Sequence, residues 1–202
     1  MTELVYAVLA IVAVVYGSSG LAKLRGRTAY QSYRAGLADT SLVPGRSLTA
    51  VAAILAGCEA AIALSALAAL VLGAAGVSGP DASASALSVA AALTLVLVLG
   101  VVAVLRGGRT ARCACFGSSV ARPLGAIHLV RNTAILAAIV VGLTVDLLSP
   151  ARSSGAGTAI AIVAGVVLGA LTIRLDDLAE LFMPIEAAKA ADGSASRHLA
   201  SR

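Results

Sequence analysis

Residues 82–105 read ASASALSVAAALTLVLVLGVVAVL, a run of 24 positions without a charged side chain. A helix needs about 20 apolar residues to cross a hydrocarbon core about 30 Å thick, so this run is long enough to span a membrane. Its Ser-rich start belongs at the interface, which sets the span at 84–105. Lipid admits helices or closed barrels, and no period-2 alternation appears, so strands are not expected. Four further apolar runs of sufficient length lie at residues 4–22, 48–72, 123–145 and 155–173; the run at 48–72 is interrupted by Glu59, and the run at 123–145 contains His128 and Arg131.

The composition agrees with a membrane protein. Of 202 residues, 59% are hydrophobic and 12% charged, which is too little charge to cover the surface of a soluble domain. The net charge of +5 would suggest nucleic acid as a partner of a soluble protein. Here the basic residues lie between apolar runs and act as topology signals. The sequence therefore predicts an all-α, polytopic helical bundle over residues 1–175, with a lipid bilayer and no nucleic acid as its partner.

Lysine and arginine alternate between connections. The first and third connections carry nine basic residues, whereas the second has none and the fourth has one, Arg152. Basic loops stay in the cytoplasm. We therefore expect the chain to lie in a bacterial plasma membrane with its N-terminus outside the cell and with the third connection and the C-terminus in the cytoplasm. Residues 176–202 then form a partly disordered cytoplasmic tail, with a helical extension over 175–191. The nine residues are Lys23, Arg25, Arg27, Arg34, Arg46, Arg106, Arg109, Arg112 and Arg122.

Two shorter patterns concern the first span and the connection after it. Tyr30, Tyr33 and Leu37 stand at i, i+3 and i+7, which predicts a short amphipathic helix on the membrane surface, ended by Pro44–Gly45. The small-residue run GSSG at 17–20 predicts close helix packing, although its hydroxyls could instead face a ligand.

The segment RCACFG at 112–117 is the strongest chemical signal. The thiols of Cys113 and Cys115 are one residue apart, so a disulfide between them closes a very small, strained ring that is easily reduced. Neighbouring arginines, and the dipole of a helix that follows, favour the nucleophilic thiolate. The pattern indicates a redox pair. The alternative is two unrelated loop thiols kept reduced in the cytoplasm.

His128, Arg131 and Asn132 share one face of the fourth span, at i, i+3 and i+4. Counted from Pro123, they lie about 8, 12 and 14 Å into the helix. Ionisable groups at such depth are costly and indicate a functional site with a partner. We expect Glu59 of the second span to pair with Arg131, either as part of that site or as a structural ion pair.

Cys58, next to Glu59, is interpreted as a small apolar residue of the helix. The alternatives are a third redox thiol, or a metal ligand beside Cys113, Cys115 and His128. A metal site would require the loop to fold inward, so none is predicted.

These residues resemble the MauE (methylamine utilisation) family within the DoxX-like group. The resemblance covers residues 4–145 and lies in the run from Gly17 to Lys23, a proline before the second span, Glu59, the Cys-x-Cys-Phe-Gly motif, and His128 followed by Arg131-Asn132. The family usually has Gly between the cysteines, where this chain has Ala114. The resemblance implies a four-helix core, here with a fifth span added. It also implies a link to thiol–disulfide processes, a thioredoxin-like partner and a disulfide-containing client protein.

Three functions follow as hypotheses. The first is a thiol–disulfide oxidoreductase component in which Cys113 and Cys115 exchange electrons with a thioredoxin-like protein. His128, Arg131, Asn132 and Glu59 would tune the thiolates or bind the polar group of a substrate such as a quinone. The second is a non-catalytic assembly factor or chaperone whose polar face docks a partner. A transporter is the weakest, because no paired broken helices are evident.

Overall fold

A computed structural model describes residues 2–77, 80–108, 111–113, 122–148 and 155–175. These residues form six helices, five of which are long and apolar enough to cross a membrane. The all-α, polytopic membrane fold with five spans is thereby confirmed. The helices are α1 (Thr2–Leu24), α2 (Arg27–Asp39), α3 (Leu48–Ala74), α4 (Pro80–Arg106), α5 (Ala126–Leu148) and α6 (Ala156–Ile173), and all except α2 are candidate spans.

Small residues let α1 and α3 pack closely in antiparallel directions. A Cβ placed on Gly20 would lie 3.5 Å from the backbone nitrogen of Ala60, and one on Gly17 would lie 3.8 Å from the Ala63 side chain. Glycine in the 17–20 run therefore brings two helix backbones together, as small residues commonly do in lipid. Helix packing was the primary expectation for this run, and it is confirmed for its two glycines.

The fifth span, α6, lies parallel to α1 and packs tightly on it. A Cβ on Gly165 would overlap the carbonyl oxygen of Ala7, and one on Gly169 would lie 3.0 Å from Val14. Helices α4 and α5 are joined where α4 begins and α5 ends, by a hydrogen bond of 2.7 Å from Ser83 to the buried carboxylate of Asp146. The spans therefore alternate in direction from α1 through α6.

The connection before α5 differs from the expectation. Two-residue strands, β1 (Arg112–Cys113) and β2 (Arg122–Pro123), pair in antiparallel fashion, and the Leu124 N–H donates to the Ala111 carbonyl over 2.8 Å. Because this pairing holds Pro123 in an extended strand, the helix begins at Ala126 rather than at Pro123. The expectation that strands are absent concerned the membrane-spanning runs, and it holds for the five spans. The short strand pair lies outside them.

The predicted amphipathic helix is α2, which ends earlier than expected. Its last residue is Asp39, and the Thr40 hydroxyl donates to the Leu37 carbonyl over 2.7 Å. This local hydrogen bond ends the helix five positions before Pro44, so the proline is not its terminator. The tail predicted for 176–202 lies outside the described residues.

Candidate functional site

A space opens at one end of the bundle because α1 is shorter there than α3. Gly20 lies beside Ala60, and α1 ends four residues later at Leu24, whereas α3 extends a further twelve residues to Leu48. Helix α2 covers the gap. The Tyr30 hydroxyl donates to the Thr49 carbonyl over 3.2 Å, which fixes α2 to the first turn of α3.

The space under α2 is a cavity of about 330 Å³, called here the α2 cavity. This volume falls in the range that binds small molecules in proteins, about 300–1,000 Å³. Its wall is mainly apolar and is built by α1 to α5, with Leu124 contributed from the end of β2. The polar or ionisable side chains in the wall are Tyr16, Ser19, Lys23, Tyr33, Thr40, Glu59, Thr94, His128, Arg131 and Asn132.

A buried ion pair between Lys23 and Glu59 forms part of the cavity wall. The Lys23 ammonium donates to both carboxylate oxygens of Glu59 and, over 3.0 Å, to the Ser19 hydroxyl. Both paired side chains are only 4% exposed. On its remaining side the ammonium lies 4.7 Å from the centre of the Tyr33 ring, within the distance of a cation–π contact. The ammonium is thus surrounded by an anion, a hydroxyl and an aromatic ring.

This pair corrects two expectations. Glu59 pairs with Lys23 and not with Arg131, although Arg131 is buried in the wall of the same cavity. Lys23 was interpreted as a topology signal in a connection, but it lies in the last turn of α1 and is 3% exposed. Its burial results from the projection of α3 past α1 and from the cover that α2 provides, and neither is visible in the local sequence.

A second polar contact lies deeper, between Tyr16 and Thr94. Their oxygens are 2.5 Å apart. Thr94 donates its hydroxyl hydrogen to the Ala90 carbonyl over 2.6 Å, so Tyr16 is the donor in the first bond. Sequence reasoning missed Tyr16 and Lys23 as site residues, and it gave the Ser19 hydroxyl only as the alternative to helix packing. Their spacing of i, i+3 and i+7 on one face of α1 was the signal that could have found them.

Tyr33 is one of three α2 residues that line the cavity, with Gly36 and Leu37. Its pKa is raised, first by burial and then by the negative charge of Glu59 and by Tyr30. The phenol is therefore neutral at physiological pH and presents its ring to the Lys23 ammonium. The Tyr30 and Tyr33 rings are tilted against each other, with their centres 6.4 Å apart.

His128, Arg131 and Asn132 line the cavity together from α5, as their spacing predicts. Because α5 begins at Ala126, they lie about 3, 8 and 9 Å into the helix, less deep than expected. The Gly125 N–H approaches His128 Nδ1 at 3.4 Å. When Nδ1 accepts this hydrogen bond, the neutral ring carries its hydrogen on Nε2. The first turns of α5 thus present an imidazole, a guanidinium and an amide to one space.

The cysteines are placed only in part. The backbone of Cys113 lies in β1, opposite Arg122, and β1 packs against α2. The Cys113 side chain and the whole of Cys115 lie outside the described residues. Cys58 is exposed on α3, one position before the buried Glu59, and it does not line the cavity. The structure therefore does not bring Cys58 to His128, either as a third thiol or as a metal ligand.

Comparison with known proteins identifies the family of the chain. No curated protein and no solved structure matches the chain. The family model described as methylamine utilisation protein MauE matches residues 1–145. The matched region contains every residue that lines the α2 cavity and both loop cysteines, whereas α6 lies beyond it. A match over most of the chain establishes the relationship that the motifs suggested, and the protein belongs to the MauE family.

Proposed function

We propose that this protein is a thiol–disulfide redox component of the bacterial plasma membrane, and that Cys113 and Cys115 exchange electrons with a thioredoxin-like partner. One observation carries the proposal. The segment that holds the two cysteines starts in β1 and ends before β2. Both strands lie at the end of the bundle where ionisable side chains line the α2 cavity. The family provides the membrane setting, and methylamine is not carried over as a substrate.

The attachment of this segment supports the proposal in two ways. On one side, Ala111 is fully buried and accepts the backbone hydrogen bond of Leu124, which itself lines the cavity. On the other side, β1 packs against α2, the helix that covers the cavity. The described residues on either side of the segment that holds Cys115 are therefore attached beside the polar groups of the cavity.

The chemistry needs no further cofactor for exchange between proteins. A thiolate of the pair attacks one sulfur of the partner's disulfide, and a mixed disulfide forms as the partner's other sulfur leaves as a thiolate. The second cysteine then attacks the mixed disulfide. The partner is released as a dithiol, and Cys113 and Cys115 are left as a disulfide. Two electrons and two protons pass to the partner, and the same steps run in the opposite sense when the partner starts reduced.

The arginines of the hairpin and of α5 have a defined role in this proposal. Arg112 and Arg122 flank the loop, and Arg131 lies in the cavity wall. Positive charge near a cysteine favours the thiolate, which is the attacking form. In the proposed orientation, with the N-terminus outside, the loop meets a partner from the cytoplasmic side.

The test uses a Cys58→Ser background, because Cys58 is exposed and would add its own thiol to the count. Purified protein is equilibrated in glutathione buffers, and free thiols are counted by mass-shift alkylation. We expect a single two-electron transition at a potential above about −300 mV, where structural disulfides lie. Cys113→Ser and Cys115→Ser should each abolish it.

Partner capture completes the test. In cells, Cys115→Ser should accumulate a mixed disulfide through Cys113 with a thioredoxin-like protein, and the Cys113,Cys115→Ser double variant should not. Thiols that remain reduced in every buffer, together with full function of both single variants in cells, would overturn the redox proposal. A non-catalytic assembly factor would then be the better description.

A further inference from the structure

The charged side chains of the described residues are divided between the two ends of the bundle. The end where α1 and α4 finish and α3 begins carries every described lysine and arginine, whereas the charged residues at the opposite end are acidic. Five arginines at the basic end are exposed and form no ion pair within the described part of the chain, and one exposed acid, Asp39, accompanies them. The five are Arg25, Arg27, Arg34, Arg46 and Arg106.

Three of these arginines lie around the first turn of α3. Arg27 and Arg34 are seven positions apart, so they share a face of α2 with Tyr30, which donates to the Thr49 carbonyl. The guanidinium of Arg34 itself donates to the Thr49 hydroxyl over 3.3 Å, and Arg46 stands three positions before Thr49 in the chain. We call these three arginines the α2 basic surface.

The first turn of α3 lies at the depth of lipid headgroups. The helix has 27 residues and is about 40 Å long, so it extends about 5 Å beyond each edge of a hydrocarbon core about 30 Å thick if it is centred. Thr49 is the second residue of the helix and is then about 3–4 Å outside the hydrocarbon. The arginines beside it are therefore at the level of the phosphate groups.

Exposed leucines at this level favour a lipid over a water-soluble acidic partner. Leu24, next to Arg25 at the end of α1, is 54% exposed, and Leu42, between α2 and α3, is 42% exposed. Apolar and cationic side chains that alternate at an interface are typical of segments that contact acyl chains and headgroups together. A phospholipid offers both kinds of group in one molecule.

We propose that the α2 basic surface binds the phosphate groups of anionic phospholipids such as phosphatidylglycerol. Guanidinium groups bind phosphate through paired hydrogen bonds, and a lipid with net negative charge offsets their mutual repulsion. Such binding also has a structural consequence, because no residue of α2 is buried. Phosphates that contact Arg34 of α2 and Arg46 before α3 hold α2 over the cavity that it covers. This binding is independent of the cysteines.

The first test measures lipid preference. Full-length protein is placed in nanodiscs that contain equal amounts of phosphatidylglycerol and phosphatidylcholine, and native mass spectrometry counts the lipids of each type that stay bound. The parent protein should retain phosphatidylglycerol preferentially. Arg34→Gln should lower this preference about fivefold, which corresponds to about 1 kcal/mol for one arginine near anionic headgroups. Arg27→Gln should have a similar effect, and it removes no described contact, so it keeps the test valid if Arg34→Gln weakens the fold.

Arg106→Gln is the matched control. Arg106 is an exposed arginine at the same end of the bundle, but it is the last residue of α4 and belongs to neither α2 nor α3. Its replacement should leave the preference nearly unchanged. An equal decrease in Arg106→Gln and Arg34→Gln would indicate a general surface potential and would overturn the local site.

The second test asks whether the lipid holds α2 in place and whether an intact lipid is required. Amide hydrogen exchange in α2 should be slower in phosphatidylglycerol nanodiscs than in phosphatidylcholine nanodiscs, and Arg34→Gln should remove the difference. Excess inorganic phosphate at constant ionic strength should not displace the bound lipid. Displacement by inorganic phosphate would make this an anion site without lipid specificity. Binding of soluble polyglutamate without any preference for phosphatidylglycerol would identify a protein-docking surface, and either result would refute the proposal.

Discussion

The buried pair of Lys23 and Glu59 should be the most sensitive point of the bundle to charge removal. Removing one partner of a buried ion pair typically costs about 3–5 kcal/mol, because the other charge is left uncompensated. Glu59→Gln should fall near the lower end of this range, since Ser19 and the ring of Tyr33 still contact the ammonium. Lys23→Met should fall near the upper end, because Lys23 is the donor that Glu59 has among the described residues.

The double variant Lys23→Met,Glu59→Gln leaves no charge at either position. Its loss of unfolding free energy should be smaller than the sum of the two single losses by about 2 kcal/mol or more. Reversible unfolding by SDS from mixed micelles, followed by circular dichroism, measures all three variants. Arg25→Gln is the control: it removes a charge two positions away that is exposed, and it should change stability by less than about 0.5 kcal/mol. Strict additivity of the two losses would refute direct pairing. A larger coupling of Glu59 to Arg131 than to Lys23 would restore the pairing expected from the sequence.

Three further predictions concern orientation, helix packing and pH. In intact cells, an impermeant maleimide should label a single cysteine at Arg152 and spare one at Cys113; the reverse pattern would invert the orientation. Gly165→Ala should lower the free energy of unfolding by about 1–3 kcal/mol, because the new Cβ overlaps a backbone carbonyl of α1, and Gly57→Ala should have no comparable effect. Because the pKa of Tyr33 is raised in the folded protein, the neutral phenol stabilises the fold up to about pH 10, and stability falls above it as the unfolded chain ionises. The free energy of unfolding at pH 11, divided by that at pH 8, should therefore be higher in Tyr33→Phe than in the parent protein. An unchanged ratio would contradict the burial of that ring.

The membrane spans could be predicted because the hydropathy of a span depends only on residues that are consecutive in the sequence. An uncharged run such as 82–105 is long enough to span a membrane, and α4 covers it with two further residues at its start and one at its end. The helix begins four residues before the predicted span start at 84. The shared face of His128, Arg131 and Asn132 was predictable for a similar reason, since helical periodicity fixes which side chains point together. Such features depend only on neighbours in the sequence.

The partner of Glu59 could not be found in this way. Lys23 stands where an apolar run ends, and a lysine there usually marks the cytoplasmic edge of a span. The burial of Lys23 and its pairing with Glu59 depend on tertiary structure. Helix α3 extends further than α1 beyond their contact at Gly20, and α2 covers the space between them. The start of α5 was misplaced because the strand pairing of Pro123 with Arg112 involves residues eleven apart.

The parallel packing of α6 on α1 has a consequence for how the chain is assembled. During synthesis α1 leaves the ribosome before the other four described spans, and the glycines that fit against it, at 165 and 169, belong to α6, which is made after those spans. The surface of α1 around Ala7 and Val14 must therefore face lipid or the insertion machinery until α6 has been translated. The contact between α1 and α6 forms only then, after α3, α4 and α5 have been made.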